Sequence, residues 1–464
     1  MRVKSVIFSA IFLAALATPV AAWDTSRSIV RIKSGLDGRT VIQSICAQLH
    51  CEILHSLDTL PGETGPSSLF VVRNLPAPSL TVNYDLLGIE AVEPDLPARL
   101  AEDETWGVSQ ATAAVLDALA DHTPATYYGA TAWQSYLRQP ASTIVRTSDT
   151  HCTLRATGGG VVAVVDTGVD SDHPTLAAVL TAGYDFTRDV AGGDEKPDAG
   201  GARGVAPDGV YGVNQATAAV LDQATAAVLD DSAYADFGHG TMVAGVVHLV
   251  APTARIMPLK AFASDGTGYT SDIIRAIVYA ARSGANVLNM SFSRQTPSSE
   301  LERAIDYAAS HRVIAVASAG NDGRPTLMYP AAYDNVMGVA STADDDARSS
   351  FSNYGSDLVW VAAPGEGIIT TYPWGTFAGA WGTSFSAPMV SGAAALLVGL
   401  ESTATYGQVS SAVAEARPLT PDLGYGRLDL YRAVSAGRGL WPNAAEGPIP
   451  DTCDSSHVDW ATGP

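Results

Sequence analysis

The chain has 464 residues, 47% of them hydrophobic, and a formal charge of -21, so it can bury a core large enough for two or three folding units. That charge argues against a nucleic-acid surface, whose affinity rests on clustered Lys and Arg, and chiefly favours solubility. Past the first residues, no apolar run reaches the about 18 to 20 residues of a membrane span; residues 389–400 come nearest, and Ser391 and Gly392 interrupt them.

Residues 1–22 read as an export signal. Arg2 and Lys4 precede an apolar stretch over residues 6–17, and small residues finish at Ala21 and Ala22. A secreted, extracellular mature chain is therefore expected. Export also makes disulfides the expected state of the four cysteines. Three pairings are open, and Cys46 with Cys51 and Cys152 with Cys453 is favoured. The Cys46, His50, Cys51, His55 spacing would also suit zinc, but oxidising export argues for sulfur pairing and no metal is assigned.

Residues 27–96 predict a small α+β unit, with strand-like runs at 29–32 and 69–72 flanking a helical stretch at 41–49. A linker is expected over residues 97–130, where the composition turns to Ala, Asp and Glu. It carries the octapeptide QATAAVLD at 110–117, which returns in tandem at 215–222 and 223–230. The octapeptide is a good helix former, but its short period is no solenoid, and a tolerated surface duplication is the reading preferred over a binding role.

From about residue 158 the pattern changes. Apolar, β-branched runs at 161–165, 255–260, 287–290 and 313–317 are accompanied by helical stretches at 270–283 and 298–311. Strands buried on both faces and separated by helices predict an α/β parallel sheet, with its site at the carboxyl ends of the strands.

Four polar motifs stand at strand or helix ends. Asp166 follows the run Val161-Val162-Ala163-Val164-Val165, and His239 lies between Gly238 and Gly240 at the start of an apolar helix. Ser384, in Gly382-Thr383-Ser384, opens another apolar helix, and Asn321 follows Ala319-Gly320. Each alone is also what a turn or helix cap uses. Together an acid, an imidazole, a hydroxyl at a helix N-terminus and an amide donor supply general base catalysis, a nucleophile and oxyanion stabilisation. The glycines Gly158, Gly159 and Gly160 precede their strand, whereas a dinucleotide fingerprint follows it, so an oxidoreductase is disfavoured.

The motifs DTGVD (166–170), GHGTMVAG (238–245), SAGND (318–322) and GTSFSAP (382–388) resemble the subtilisin-like serine peptidases over roughly residues 133–433. The order Asp, His, Ser and an oxyanion Asn are known marks of that family. The resemblance implies an α/β fold, a parallel sheet flanked by helices, preceded by a small α+β inhibitory propeptide. It implies a peptidase domain over residues 131–440 and a tail over 441–464. Asp166, His239 and Ser384 would be the triad and Asn321 the oxyanion donor, while Gly266, Gly268, Ser291, Phe292 and Gly320 would hold an extended protein or peptide substrate. Ser293 and Arg294 stand where relatives carry glycines, which implies a narrower or more polar S1 pocket.

A secreted, self-processing serine endopeptidase that acts as a monomer is the expectation, with its own propeptide as inhibitor and no nucleic-acid or membrane partner. The chemistry needs no cofactor. A silent secreted binding module on the same fold is the alternative. Residues 187–235 are longer than in most relatives. A solvated loop is expected there, with Asp189, Asp194 and Asp198 as candidate ligands for a structural Ca²⁺.

Overall fold

A computed structural model describes residues 24–79, 82–100, 121–199, 210–212, 236–447, 450 and 453. The export segment and the three octapeptides lie outside the described residues. Both expected disulfides are present, Cys46–Cys51 and Cys152–Cys453, so the sulfurs of the zinc-like spacing are already paired.

The small unit is built from β1 (Arg27–Ile32), α1 (Gly38–Leu49), β2 (Glu52–Ser56), β3 (Leu69–Arg73) and β4 (Ile89–Pro94), in an antiparallel sheet of order β2-β3-β1-β4. Helix α1 starts where the Asp37 side chain accepts from Thr40 N–H and stops at His50 in the left-handed region. Successive side chains of a strand point to opposite faces. Val30, Ile32, Phe70 and Val72 therefore enclose the unit's own core with Ile42 and Ile45 of α1, while Ile29, Leu69 and Val71 face outward into a core shared with the larger domain.

The stretch read as a linker contains β5 (Pro97–Arg99) and the first strand of a hairpin, β6 (Pro124–Tyr127), whose second strand β7 (Ala130–Trp133) begins at the stretch's last residue. Short helices follow, α2 (Gln134–Leu137), α3 (Pro140–Ile144) and α4 (Thr147–Thr153). The hairpin is fastened to the larger domain by Tyr127 Oη–H donating to Leu249 O at 2.7 Å.

The larger domain is organised around β8 (Val161–Asp166), β9 (Tyr184–Asp185), β10 (Val190–Ala191), β12 (Arg255–Lys260), β14 (Val287–Met290), β15 (Ile314–Ser318), β16 (Val336–Thr342) and β17 (Val361–Pro364). Their order is β10-β9-β12-β8-β14-β15-β16-β17. All neighbours are parallel except β9 with β10. Val162 and Val164 of β8 pack on one side, in a cluster with α5 (His239–Val250) and α8 (Thr383–Leu400). Ala163 and Val165 pack on the other, with α6 (Thr270–Arg282) and α7 (Ser299–Ser310). This is the expected helix-flanked parallel sheet.

By length and composition α8 would pass as a membrane span, yet 89% of its apolar window is buried inside the protein, as befits a core helix. A second sheet of β11 (Val210–Gly212), β19 (Thr376–Ala380) and β18 (Ile368–Tyr372) packs beside α5. Strand β13 (Thr267–Tyr269) pairs antiparallel with β5, with Gly268 opposite Ala98.

Candidate active site

Asp166 ends β8, Ser291 follows β14 and Asn321 lies three residues past β15, so the parallel sheet delivers three polar groups to its carboxyl edge. The imidazole comes from the first residue of α5. Asp166 Oδ1 and His239 Nδ1 are 2.7 Å apart, and both side chains are fully buried. Nδ1–H donating to the carboxylate leaves Nε2 as an acceptor; among the described residues Nε2 has no partner.

Two glycines permit this approach. A Cβ on Gly240 would sit 2.0 Å from Gly168 O and 3.1 Å from Asp166 Cβ, and Gly238 turns at φ +89 against the Tyr372 ring. Burial, the largest influence on His239, pulls its pKa down, but the Asp166 charge and hydrogen bond, with Asp236 and Glu195 behind them, reverse this, and the net shift is upward.

Ser384 is the second residue of α8, where amides have no intrahelical acceptor. Its Oγ–H donates to Ser291 O at 3.2 Å, not to His239, while Ser291 Oγ–H donates to Ser384 O at 2.9 Å. The neighbouring Phe385 ring is centred 5.5 Å from that of His239. Asn321 is oriented by Thr383, whose N–H and Oγ–H donate to its Oδ1 at 3.0 and 2.8 Å. With the oxygen occupied, Nδ2 is the end left to serve as a donor.

Of the expected substrate-holding residues, Gly266 and Gly268 lie at β13, whose edge is occupied by β5. Leu100 N–H donates to Gly266 O at 3.0 Å and Thr270 N–H to Leu96 O at 3.1 Å. Gly320 is at φ +96, and a Cβ there would meet Asn353 Nδ2 at 2.6 Å. Phe292 is a core residue, its ring 5.1 Å from that of Phe262, so any contribution of Phe292 to substrate comes from its backbone.

The segment expected to be a solvated loop reaches into the site. Glu195 is completely buried, and its Oε2 accepts from Thr167 Oγ–H at 2.8 Å and Gly238 N–H at 2.9 Å. Oε1 accepts from Thr241 N–H at 3.3 Å and from Thr241 Oγ–H. One carboxylate thus ties the residue after Asp166 to the residue before His239. Burial raises its pKa to about 7, against hydrogen bonds from Thr241, Thr167 and Gly238 and the charge of Lys260. Sequence reasoning missed Glu195, since an acid in a Gly- and Asp-rich run looks solvated; the sequence held no sharper signal.

The candidate calcium ligands are not brought together. Asp189 pairs with Arg275, Asp198 with Lys260 at 2.6 Å, and Asp194 accepts from Ser171 Oγ–H at 2.7 Å. A different trio, Asp170, Asp172 and Asp194, could converge on a cation, but the Lys196 ammonium lies among them, 2.5, 2.8 and 3.6 Å from their oxygens.

The sequence profile of the Subtilase family, Peptidase S8, matches residues 157–426. The chain is 36% identical over 284 residues to thermitase of Thermoactinomyces vulgaris, covering 60% of this chain and 88% of thermitase. It is 40% identical over 169 residues to subtilisin BL of Lederbergia lenta, covering 34% and 62% of the two chains. Among solved structures, fervidolysin from Fervidobacterium pennivorans, described as a keratinolytic enzyme related to subtilisin, superposes with a TM-score of 0.62 at 23% identity. That match covers 92% of this chain and 61% of fervidolysin, a likeness of fold.

Proposed function

The chain belongs to the subtilase family of serine peptidases, and from that premise we propose that Asp166, His239 and Ser384 form its triad in an exported endopeptidase made as a self-processing precursor. The observation that carries this reading is the buried 2.7 Å contact between Asp166 and His239, with Nε2 left unpartnered among the described residues.

Ser384 Oγ, turned from Ser291 O toward Nε2, attacks a peptide carbonyl while His239 takes its proton. Asp166 holds the tautomer and stabilises the imidazolium. The tetrahedral oxyanion is met by Asn321 Nδ2 and the Ser384 amide, donors whose individual loss typically costs about 2.7 to 4 kcal/mol of barrier stabilisation. His239 then protonates the leaving amine, and water, deprotonated by the same imidazole, releases the acyl group. No step calls for a cofactor. Substrate lies along β13 as an added strand, so backbone hydrogen bonds give tolerance and pockets give choice.

Residues 1–22 would direct export. The small unit supports a precursor reading because its continuation β5 already occupies the β13 edge. The two activities would then exclude each other in time: the edge takes other chains only after β5 leaves. Intact mass of wild type and Ser384→Ala, each incubated with unfolded casein, tests the proposal. Wild type alone should lose its first hundred or so residues and cut casein. A Ser384→Ala chain that shortens equally without added protease would contradict self-processing, and a wild type that does neither would favour the silent binding module.

A further inference from the structure

Beside β5 lies a cavity of about 380 Å³, lined among others by Ala98, Arg294, Asn321, Asp322 and Met328. Ala98, opposite Gly268, is one of its wall residues, and its side chain ends at a methyl. Arg294 is 8% exposed. Its Nη1–H donates to Thr270 Oγ1 at 2.6 Å, and its Nε is buried with no partner among the described residues. Two other arginines among the described residues are buried as deeply, and both are paired: Arg275 with Asp189, and Arg427 with Asp346 at 2.8 Å. Arg294 has no such ion pair among the described residues.

A guanidinium cannot shed its charge, and a buried charge without a counter-ion is strongly unfavourable. The carboxylates whose charge Arg294 feels are Glu93 and Asp95 of the small unit. Both are committed elsewhere, Glu93 to Ser298 and Ser299 at the start of α7, Asp95 to Arg27 and Ser271. Both would leave with that unit. The acid on the cavity wall, Asp322, accepts from Asn353 Nδ2 at 3.1 Å.

We propose that Arg294 makes this cavity an acid-selective subsite: the substrate residue that takes the place of Ala98 opposite Gly268 is preferred as Glu, whose carboxylate spans the cavity that a methyl leaves unfilled. This rests on the peptidase reading and adds a substrate class to it. A carboxylate there supplies the missing counter-ion through charge-assisted hydrogen bonds, whereas Gln and Ala leave the guanidinium unpaired.

The test uses processed wild type and Arg294→Gln on peptides carrying Glu, Gln or Ala at each residue preceding the cleaved bond in turn. At a single position Glu should raise kcat/KM at least about tenfold over both Ala and Gln, a margin within reach of one charge-assisted hydrogen bond. Arg294→Gln should bring the Glu and Gln peptides to parity at that position. Cleavage of the Ala peptides with no position favouring Glu, or a preference that survives in Arg294→Gln, overturns the inference and leaves the peptidase reading standing. Cleavage of no peptide overturns both.

Discussion

Glu195 shows how much of the site a single buried group can carry. Its carboxylate joins the loop after β8 to the N-terminus of α5, where unpaired amides and the helix dipole favour negative charge. Its folded pKa of about 7 lies above the ordinary carboxylate value. Its protonated form therefore contributes stability fully present below about pH 4.5 and lost as pH rises toward 7. Glu195→Gln, neutral throughout, should lose less stability than wild type across that window, by roughly 3 kcal/mol at most, in denaturant titrations at pH 4.5, 6 and 8. The same change removes a negative charge that helps raise the His239 pKa, so the acid limb of the kcat/KM profile should move to lower pH. A purely structural role would leave that limb in place. The triad candidates were legible in the sequence because each stands in a glycine-rich motif at an element end. Glu195 was not, because its burial depends on Thr167 and Thr241, far away in the chain and brought to it only by the fold.

At the scale of elements, the Asp and His loops meet only because the second residue of α5, Gly240, lacks a side chain where the helix crosses Gly168. Gly240→Ala would push a methyl into Gly168 O and toward Asp166 Cβ, and no flexible side chain is there to yield. We expect a cost of about 1 to 3 kcal/mol, typical of overpacking, together with a loss of kcat larger than any change in KM, as the bond between Asp166 and His239 lengthens. Thermal unfolding and steady-state kinetics on one neutral peptide separate the two effects, and an Ala variant with unchanged kcat would mean that the loops part without consequence. The larger domain's strands read from sequence, β8, β12, β14 and β15, are short runs rich in apolar residues and, Val161 and Arg255 apart, buried throughout. Strand β5 escaped notice for a physical reason: three residues beginning with Pro97 have no intrinsic claim to a sheet, and the β13 edge makes them one. Strand β16 is masked by Gly338 and by its small residues.

The whole molecule explains why the small unit's sheet is apolar on both faces. One face covers α1, and the other, through Ile29, Leu69 and Val71, shares a core with α6 and α7. Releasing the unit exposes apolar surface on both partners, and hydrophobic burial therefore resists separation. Polar contacts around that face differ in weight. Glu63 and Arg282 pair at 2.7 Å with more than a quarter of each side chain exposed, the kind of contact that contributes about 0 to 1 kcal/mol. Arg31 donates to Glu300 at 2.9 Å, and Glu300 is only 3% exposed. Removing Arg31 strands that buried carboxylate, a loss of about 3 to 5 kcal/mol where burial is complete and less here because Arg31 is partly exposed. Under the proposed precursor reading, the delay before the full chain cleaves casein reports how long the unit stays in place. Arg31→Ala should shorten that delay many-fold, and Glu63→Ala should change it by no more than about fivefold. Equal effects from the two substitutions would show that general surface charge, and not one buried contact, governs how long β5 keeps the edge closed.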